Sequence, residues 1–194
     1  RALPSNSVGL VLTDPPYMIG PISTHSEVFW GDMMNSARLY ADWYTECKRL
    51  LRHDGAMWTF LNWKTVPTLI KAASIAELPV LSLMVWDKQN LGGGHPAGLK
   101  GSYELCALLA KPGFKMANTR LSDVWQYRWS SRHSKYHMVE KPVGLLKRII
   151  SESGTRGIVL DPFMGSGSTL VAARELGMPA VGIEQEAKFC QTAV

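Results

Sequence analysis

A rigid turn is expected directly after a short apolar run, at Asp14, Pro15, Pro16 and Tyr17. The groups on these residues suit chemistry on an aromatic amine. The lone pair of such an amine is delocalised into its ring, and an aspartate with an ordinary pKa of about 4 is too weak a base to deprotonate it first. The Asp14 carboxylate and a backbone carbonyl, most simply that of Pro15, could instead accept hydrogen bonds from the two N–H groups and aim the lone pair at an electrophile. Tyr17 offers a flat face on which an extruded base could stack. An ordinary turn in which Asp14 caps a helix is the alternative.

A glycine-rich turn lies far along the chain, where Gly165 and Gly167 follow another short apolar run. Glycines at such a strand–helix junction let the backbone approach a ligand closely. Glu184 comes about 20 residues later, at a spacing where an acid commonly accepts hydrogen bonds from ribose hydroxyls. The turn lacks the lysine of a P-loop, and Leu170 stands where a dinucleotide motif has its third glycine. It therefore favours an adenosine cofactor without a pyrophosphate, and a tight turn with no ligand is the alternative.

The elements that must position these two turns alternate between strand and helix. Apolar runs and helical spacing predict strands over 8–12, 56–61, 80–86, 103–110, 157–160 and 180–183, helices over 36–52, 66–76, 142–151 and 170–176, and a loop over 18–35. This alternation indicates an α/β fold with a doubly wound, mostly parallel sheet covered on both faces. Because chemistry in such sheets lies at the carboxyl ends of the strands, both turns are expected on one rim.

The positive charge of the chain is concentrated in one segment. The whole chain carries a formal net charge of +5, whereas residues 113–150 hold eight Lys or Arg against Asp123 and Glu140, which is a surplus of six. The eight are Lys115, Arg120, Arg128, Arg132, Lys135, Lys141, Lys147 and Arg148. Cations interleaved with aromatic residues favour a polyanionic partner, although a solvated basic face is the alternative.

Composition and length limit the other classes of protein to which the chain could belong. The three cysteines are widely spaced and odd in number, which argues against a disulfide framework or a zinc site and predicts no metal. No apolar run approaches the roughly 18 residues that cross a bilayer, so the sequence predicts a cytoplasmic protein without a membrane partner. A length of 194 residues is expected to form a single catalytic domain over 1–194.

Taken in order, these motifs resemble the amino-group DNA methyltransferases of the permuted beta class, in which the D-P-P-Y motif comes first and the F-x-G-x-G motif last. The resemblance covers nearly the whole chain. It includes Leu12 to Tyr17, Asp42-Trp43, Val85 to Lys88, Tyr103-Glu104, His137 before Lys141-Pro142, and Val159 to Thr169. It implies a Rossmann-like methyltransferase fold with circularly permuted motif order, S-adenosylmethionine as cofactor and double-stranded DNA as substrate.

The resemblance also implies roles for individual residues. A flipped-out base would meet the catalytic residues Asp14, Pro15, Pro16 and Tyr17. The cofactor would meet Thr13, Lys141, Pro142, Asp161, Phe163, Gly165, Ser166, Gly167, Ser168, Thr169 and Glu184, with Lys141 and Pro142 near its methionine end. Asp161 could instead brace the glycine turn. The D-P-P-Y form is typical of adenine-N6 enzymes, whereas cytosine-N4 enzymes more often carry Ser in the first position.

Recognition of DNA is expected to fall to the short segment 114–140. Its candidate reading surface consists of Trp125, Tyr127, Arg128, Trp129, Arg132, Lys135 and Tyr136, of which Arg128, Trp129, Arg132 and Lys135 are the predicted DNA contacts. So short a segment favours a short target or relaxed specificity. His25, Trp30, Gly31 and Asp32 could close over the flipped base or merely connect two elements.

Members of this class often pair, so the resemblance favours a homodimer. Three alternatives to the adenine-N6 enzyme stay open. They are a cytosine-N4 enzyme, an enzyme of the same chemistry on RNA or protein glutamine, and a DNA-binding protein on an inactive scaffold of the same fold.

Overall fold

The computed structural model describes residues 3–16, 26–92, 97–128 and 141–192, with the side chains of 26–36 and 192 left out. Seven strands are present in these ranges: β1 (Val8–Thr13), β2 (Leu51–Leu61), β3 (Val80–Asp87), β4 (Tyr103–Ala110), β5 (Val124–Gln126), β6 (Ile158–Asp161) and β7 (Ala180–Gly182). The α-helices are α1 (Ser26–Leu50), α2 (Val66–Ile75), α3 (Val143–Ser153), α4 (Ser168–Glu175) and α5 (Ala187–Thr192), and a 3₁₀ turn spans Trp63–Thr65.

The strands form one sheet in the order β5-β3-β4-β2-β1-β6-β7. β4 runs antiparallel to both of its neighbours, and the other pairs are parallel. The prediction of a mostly parallel sheet is therefore confirmed. β1 lies between β2 and β6, so the turn after β1 and the turn after β6 leave adjacent strands at the same edge.

A hydrophobic core covers each face of the sheet. Val8 and Val11 of β1 point into the core that α1 and α2 complete, whereas Leu10 and Leu12 point into the core that α3 and α4 complete. From Leu10 to Leu12 this alternation follows from the two-residue repeat of a strand. Val8 shares the face of Val11 because the register shifts between Val8 and Leu10. Helices on both faces make the sheet doubly wound, as the sequence predicts.

Four local features differ from the predictions. The loop prediction over 18–35 is wrong from Ser26 onward, because α1 begins there and continues through Gly31. A single helical glycine costs only about 1 kcal/mol, which a helix of this length tolerates. β2 begins at Leu51 rather than at Ala56, and β5 and α5 are elements that the sequence pattern does not predict. Within the described ranges, no helix is long and apolar enough to span a bilayer.

Candidate active site

The turn after β1 and the turn after β6 open onto one cavity of about 600 Å³, counted with the open solvent at its mouth. Adjacent parallel strands bring them together, because Val11 of β1 is in register with Leu160 of β6. The cavity is lined by Thr13, Asp14, Phe60, Lys141, Leu146, Asp161, Phe163, Met164, Gly165, Ser166, Ser168 and Thr169. The expectation that both motifs share one rim is therefore met.

Asp161 joins the two turns at the floor of this cavity. Its Oδ1 atom accepts a hydrogen bond of 2.7 Å from Thr13 Oγ1 and one of 3.1 Å from the backbone N–H of Phe163. Burial of this carboxyl group and the nearby charge of Asp14 raise its pKa to about 6, although hydrogen bonds from Thr13, Thr169 and Phe163 act in the opposite direction. Asp161 therefore braces the glycine turn and also lines the cavity. The sequence had left open whether Asp161 would brace this turn or face a cofactor.

The glycine turn adopts a backbone that other residues would resist. Gly165 and Gly167 have φ angles of +50° and +89°, in the left-handed region that favours glycine. Gly167 caps the amino end of α4, where no side chain caps the helix. Glu184, two residues after β7, accepts a 3.0 Å hydrogen bond at Oε2 from the N–H of Gly165. Glu184 therefore fixes the turn as well as standing beside the cavity.

Helix α1 holds both turns from one side. The hydroxyl of Tyr40 donates a 2.9 Å hydrogen bond to the carbonyl of Pro16. Trp43 packs edge-on against Phe163, with ring centroids 5.4 Å apart. Sequence reasoning missed the contact of Tyr40, although Trp43 belongs to a stretch on which the resemblance rests. One helix thus contacts the turn after β1 and the glycine turn together.

Lys141 is buried at the edge of the cavity between two carboxylates. Its ammonium lies 2.5 Å from Asp14 Oδ2, 3.1 Å from Glu104 Oε2 and 5.1 Å from the ring centre of Phe60. Burial acts to lower the pKa of Lys141, but the charges of Asp14 and Glu104 outweigh it and raise this pKa. The sequence predicts that the basic segment faces a polyanion, and Lys141 departs from that prediction because only 7% of it is exposed and both partners are carboxylates.

A second lysine completes this group. Lys88 Nζ donates a 2.5 Å hydrogen bond to Glu104 Oε1. Burial acts to raise the pKa of Glu104, but the charges of Lys141 and Lys88 and their hydrogen bonds outweigh it and lower this pKa. Sequence reasoning assigned no site role to Glu104 or Lys88. In the sequence, Glu104 and Lys88 were noted only as parts of the stretches on which the family resemblance rests.

The remaining predicted site residues fall into three sets. Pro15 and Pro16 lie in the turn after β1, Pro142 precedes α3, and Gly167 precedes α4. Pro142, Gly167 and Glu184 lie beside the cavity rather than in its lining. Outside the described residues lie Tyr17, His25, Trp129, Arg132, Lys135, Tyr136 and His137. The side chains of Trp30 and Asp32 are likewise not described, and their backbone belongs to α1.

The predicted reading surface is partly core. Trp125 in β5 is 3% exposed, packs near Trp58 with ring centroids 6.1 Å apart, and lies under the guanidinium of Arg148 at 4.3 Å. Its indole N–H donates a 2.7 Å hydrogen bond to the Ser122 carbonyl. Trp125 therefore does not belong to the candidate reading surface, since its ring is packed in the core. Arg128, two residues after β5, is exposed as expected.

Comparison with known proteins places this site in a family. The sequence model of the N6/N4 type of DNA methylase matches residues 8–194. The putative methylase YubD of Escherichia coli (strain K12) is 33% identical over 186 residues, which cover 93% of this chain and 78% of that protein. The type II methyltransferase M.HinfI of Haemophilus influenzae is 26% identical over 228 residues, which cover 100% of this chain and 64% of that protein.

Solved structures share the fold. A putative DNA modification methylase of Thermus thermophilus, in complex with S-adenosyl-L-methionine, superposes with a TM-score of 0.72 at 22% identity and covers 99% of this chain and 87% of its own. The cytosine-N4-specific PvuII DNA methyltransferase superposes with a TM-score of 0.80 at 14% identity and covers 99% of this chain and 80% of its own. These likenesses confirm the predicted methyltransferase type of the α/β fold.

Proposed function

The chain belongs to the family of N6/N4 DNA methylases, and we propose that it transfers the methyl group of S-adenosylmethionine to the N6 amine of adenine in double-stranded DNA. Membership makes it an S-adenosylmethionine-dependent DNA amino-methyltransferase, and the choice of base is the proposed part. One observation carries the proposal. Asp14, an acceptor for an amine, and the glycine turn, a cradle for an adenosine cofactor, line the same cavity.

The chemistry of the cavity lining fits the cofactor. The Asp161 carboxylate suits a ligand with a sulfonium cation, and Phe163 supplies an apolar wall. We expect the turn from Phe163 to Thr169 to hold the adenosine end and Glu184 to meet its ribose. S-adenosylmethionine supplies an electrophilic methyl group when it is bound.

The turn after β1 would act on the target amine. In the proposed arrangement, the Asp14 carboxylate and the Pro15 carbonyl accept hydrogen bonds from the two N–H groups, so that the nitrogen lone pair points at the methyl group. The hydrogen bond from Tyr40 to the Pro16 carbonyl supports this arrangement, since it holds the turn from outside the cavity. The nitrogen becomes cationic on transfer and then releases one proton. Tyr17, outside the described residues, keeps its predicted stacking role.

Adenine is proposed over cytosine because Asp14 occupies the first position of the motif, where the cytosine-N4 enzymes of this class more often carry Ser.

DNA contacts are proposed for Arg128, Trp129, Arg132 and Lys135 in the segment 114–140. The homodimer stays a prediction. A short target or relaxed specificity also stays a prediction, and one strongly preferred site of about six base pairs or more in methylome sequencing would contradict it.

Label transfer tests the proposal directly. The protein is incubated with methyl-labelled S-adenosylmethionine and unmethylated DNA, and the DNA is digested to nucleosides for mass spectrometry. Labelled N6-methyladenine is the expected product, and Asp14→Asn is the matched inactive control. N4-methylcytosine would overturn the choice of base and keep the reaction. A protein that binds the cofactor but labels neither base would overturn the proposed DNA substrate and direct the search to RNA and protein.

A further inference from the structure

Four charged side chains form a continuous chain that begins at the catalytic turn. Asp14 pairs with Lys141, Lys141 with Glu104, and Glu104 with Lys88, at 2.5, 3.1 and 2.5 Å. The exposed fraction of the side chain is 30% at Asp14 and only 6% at Lys141. Two anions and two cations alternate, so the group is neutral as a whole.

The topology explains how these residues meet. β4 runs against its neighbours, so its first residues lie at the edge where the other strands end, and Glu104 is in register with Trp86 near the end of β3. Lys88 follows that strand, and Lys141 stands two residues before α3. Four separate elements therefore contribute one charge each. The reversal of β4 is what brings a carboxylate to this place.

Burial makes this group of four charges costly to disturb. An ammonium group removed from water is unfavourable unless carboxylates surround it, and removing one partner of a buried pair is strongly destabilising. Lys141 therefore takes its position from Glu104 as well as from Asp14. A shift of Glu104 would move the ammonium and, with it, the carboxylate that faces the target amine.

We infer that Glu104 and Lys88 are positioning residues for the transfer reaction, a role that rests on the proposed function. Glu104 fixes the ammonium of Lys141, which orients the Asp14 carboxylate, and Lys88 fixes Glu104 from the other side. None of the three steps needs contact between Glu104 or Lys88 and the substrate. The two residues act through Lys141 alone.

Kinetics of Glu104→Gln test this inference. We expect kcat to fall roughly 10- to 100-fold, because small errors in the position of a catalytic group have effects of this size, while the Kd for S-adenosylmethionine stays within about twofold. Glu104→Asp should recover part of kcat, and Lys88→Met should lower it less than Glu104→Gln does. Adding Lys88→Met to Glu104→Gln should change little more. The matched control is Glu175→Gln, which breaks the exposed 2.9 Å pair of Glu175 with Lys147 and should leave kcat unchanged.

Two outcomes would overturn the inference: an unchanged kcat in Glu104→Gln, or a loss of cofactor affinity as large as the loss of kcat. A readout independent of activity is urea unfolding of Asp14→Asn, Glu104→Gln and the double variant. Coupling through Lys141 predicts midpoint shifts that are not additive, and additive shifts would refute it. Should Glu104→Gln fail to fold, Glu104→Asp and Lys88→Met carry the same test. A wild-type protein that transfers no methyl group would defeat the proposed function and leave the unfolding cycle to decide the inference.

A second observation concerns the turn after β2. Trp63 is 64% exposed, although Trp58, Trp86 and Trp125 are all buried. Asn62 fixes this turn, since its side-chain oxygen accepts hydrogen bonds from the N–H groups of Lys64 and Thr65 at 2.9 and 3.2 Å. The Lys64 ammonium lies 5.7 Å from the centre of the Trp63 ring. A rigid turn thus presents an indole and a cation together.

The sheet places this turn beside the catalytic one. β1 and β2 are adjacent and parallel, with Thr13 opposite Thr59, and Asp14 and Trp63 follow these strands at the same edge. Neighbouring strands are about 4.8 Å apart. We propose that Trp63 and Lys64 contact the DNA that flanks the target base, Trp63 through a base or sugar face and Lys64 through a phosphate.

DNA binding, measured by fluorescence anisotropy without methyl transfer, tests this surface. Trp63→Ala should weaken binding roughly tenfold, Trp63→Phe should weaken it less, and Lys64→Ala should reduce the salt dependence by about one phosphate contact. Cofactor affinity should not change. The matched control is Lys71→Ala, an exposed lysine in α2. Wild-type affinity in Trp63→Ala would overturn the proposal, whereas a protein that binds DNA through this turn without methylating it would overturn only the proposed function.

Discussion

Thr13 and Asp161 are 148 positions apart in the chain, and the hydroxyl of the first donates a buried 2.7 Å hydrogen bond to the carboxylate of the second. Each residue ends a strand, and the two strands are neighbours in the sheet. The bond therefore fixes the turn after β1 relative to the glycine turn after β6. Its strength depends on the protonation state of Asp161.

Stability should depend on pH through Asp161. Its pKa is about 6 in the folded protein against an ordinary value of 3.8, so between these values the folded state holds a proton that the unfolded chain has released. The contribution of Asp161 to the free energy of unfolding therefore falls as pH rises through this window. Asp161→Asn keeps an acceptor oxygen and cannot titrate. Relative to it, the wild type should lose on the order of 3 kcal/mol between about pH 4 and pH 7.

Urea unfolding of both proteins across that range measures this difference. The variant also serves as the control for every other carboxylate, because those groups titrate alike in the two proteins. Parallel curves of stability against pH would show that Asp161 has an ordinary pKa.

Asp14→Ala should abolish methyl transfer while leaving the cofactor in place. We expect kcat to fall by roughly 10² to 10³ or more, since a preorganised acceptor for the amine is lost, and the Kd for S-adenosylmethionine to change less than about threefold. Label transfer and calorimetry measure the two quantities. Equal losses in both would mean that Asp14 serves the cofactor rather than the amine. Glu175→Ala on the surface is the control.

Glu184→Ala should show the opposite pattern. It removes the proposed ribose contact and the acceptor that holds the Gly165 N–H at 3.0 Å, so cofactor affinity should fall roughly 10- to 100-fold. At saturating cofactor, kcat should stay near the wild-type value. Glu186→Ala, whose side chain lies two residues further along and is exposed, should leave both quantities unchanged. A large loss of kcat at saturation would contradict this role.

Gly182→Ala should disturb the glycine turn by crowding Met164. A Cβ atom at this position would clash with Met164 Sδ and come 3.0 Å from Leu170 Cδ1, and Met164 lines the cavity. We expect a loss of about 1–3 kcal/mol in stability and weaker cofactor binding. Adding Met164→Ala makes room for the new methyl group and should restore part of the stability. A double variant no more stable than Gly182→Ala would place the strain elsewhere.

The convergence of the two turns was predictable because each follows an apolar strand and parallel strands end at one edge. The pairing of Lys141 was not, since it depends on the reversal of β4, which no local pattern of Tyr103–Ala110 encodes. Trp125 shows a second limit of prediction from the sequence. An aromatic residue in a basic segment has the same local signature whether it reads DNA or fills a core, and only the packing of Trp58 and Arg148 against it decides.

The sheet order has a consequence for synthesis of the protein. β1 leaves the ribosome well before its neighbour β6, which comes only at Ile158. A nascent chain can therefore pair β1 with β2 long before it can enclose a cofactor. Such distant pairing is slow to form and leaves one side of β1 exposed in the meantime. The cavity between the turns that follow β1 and β6 can therefore form only after β6 has been translated, and binding of S-adenosylmethionine is expected to report that translation and folding have reached β6.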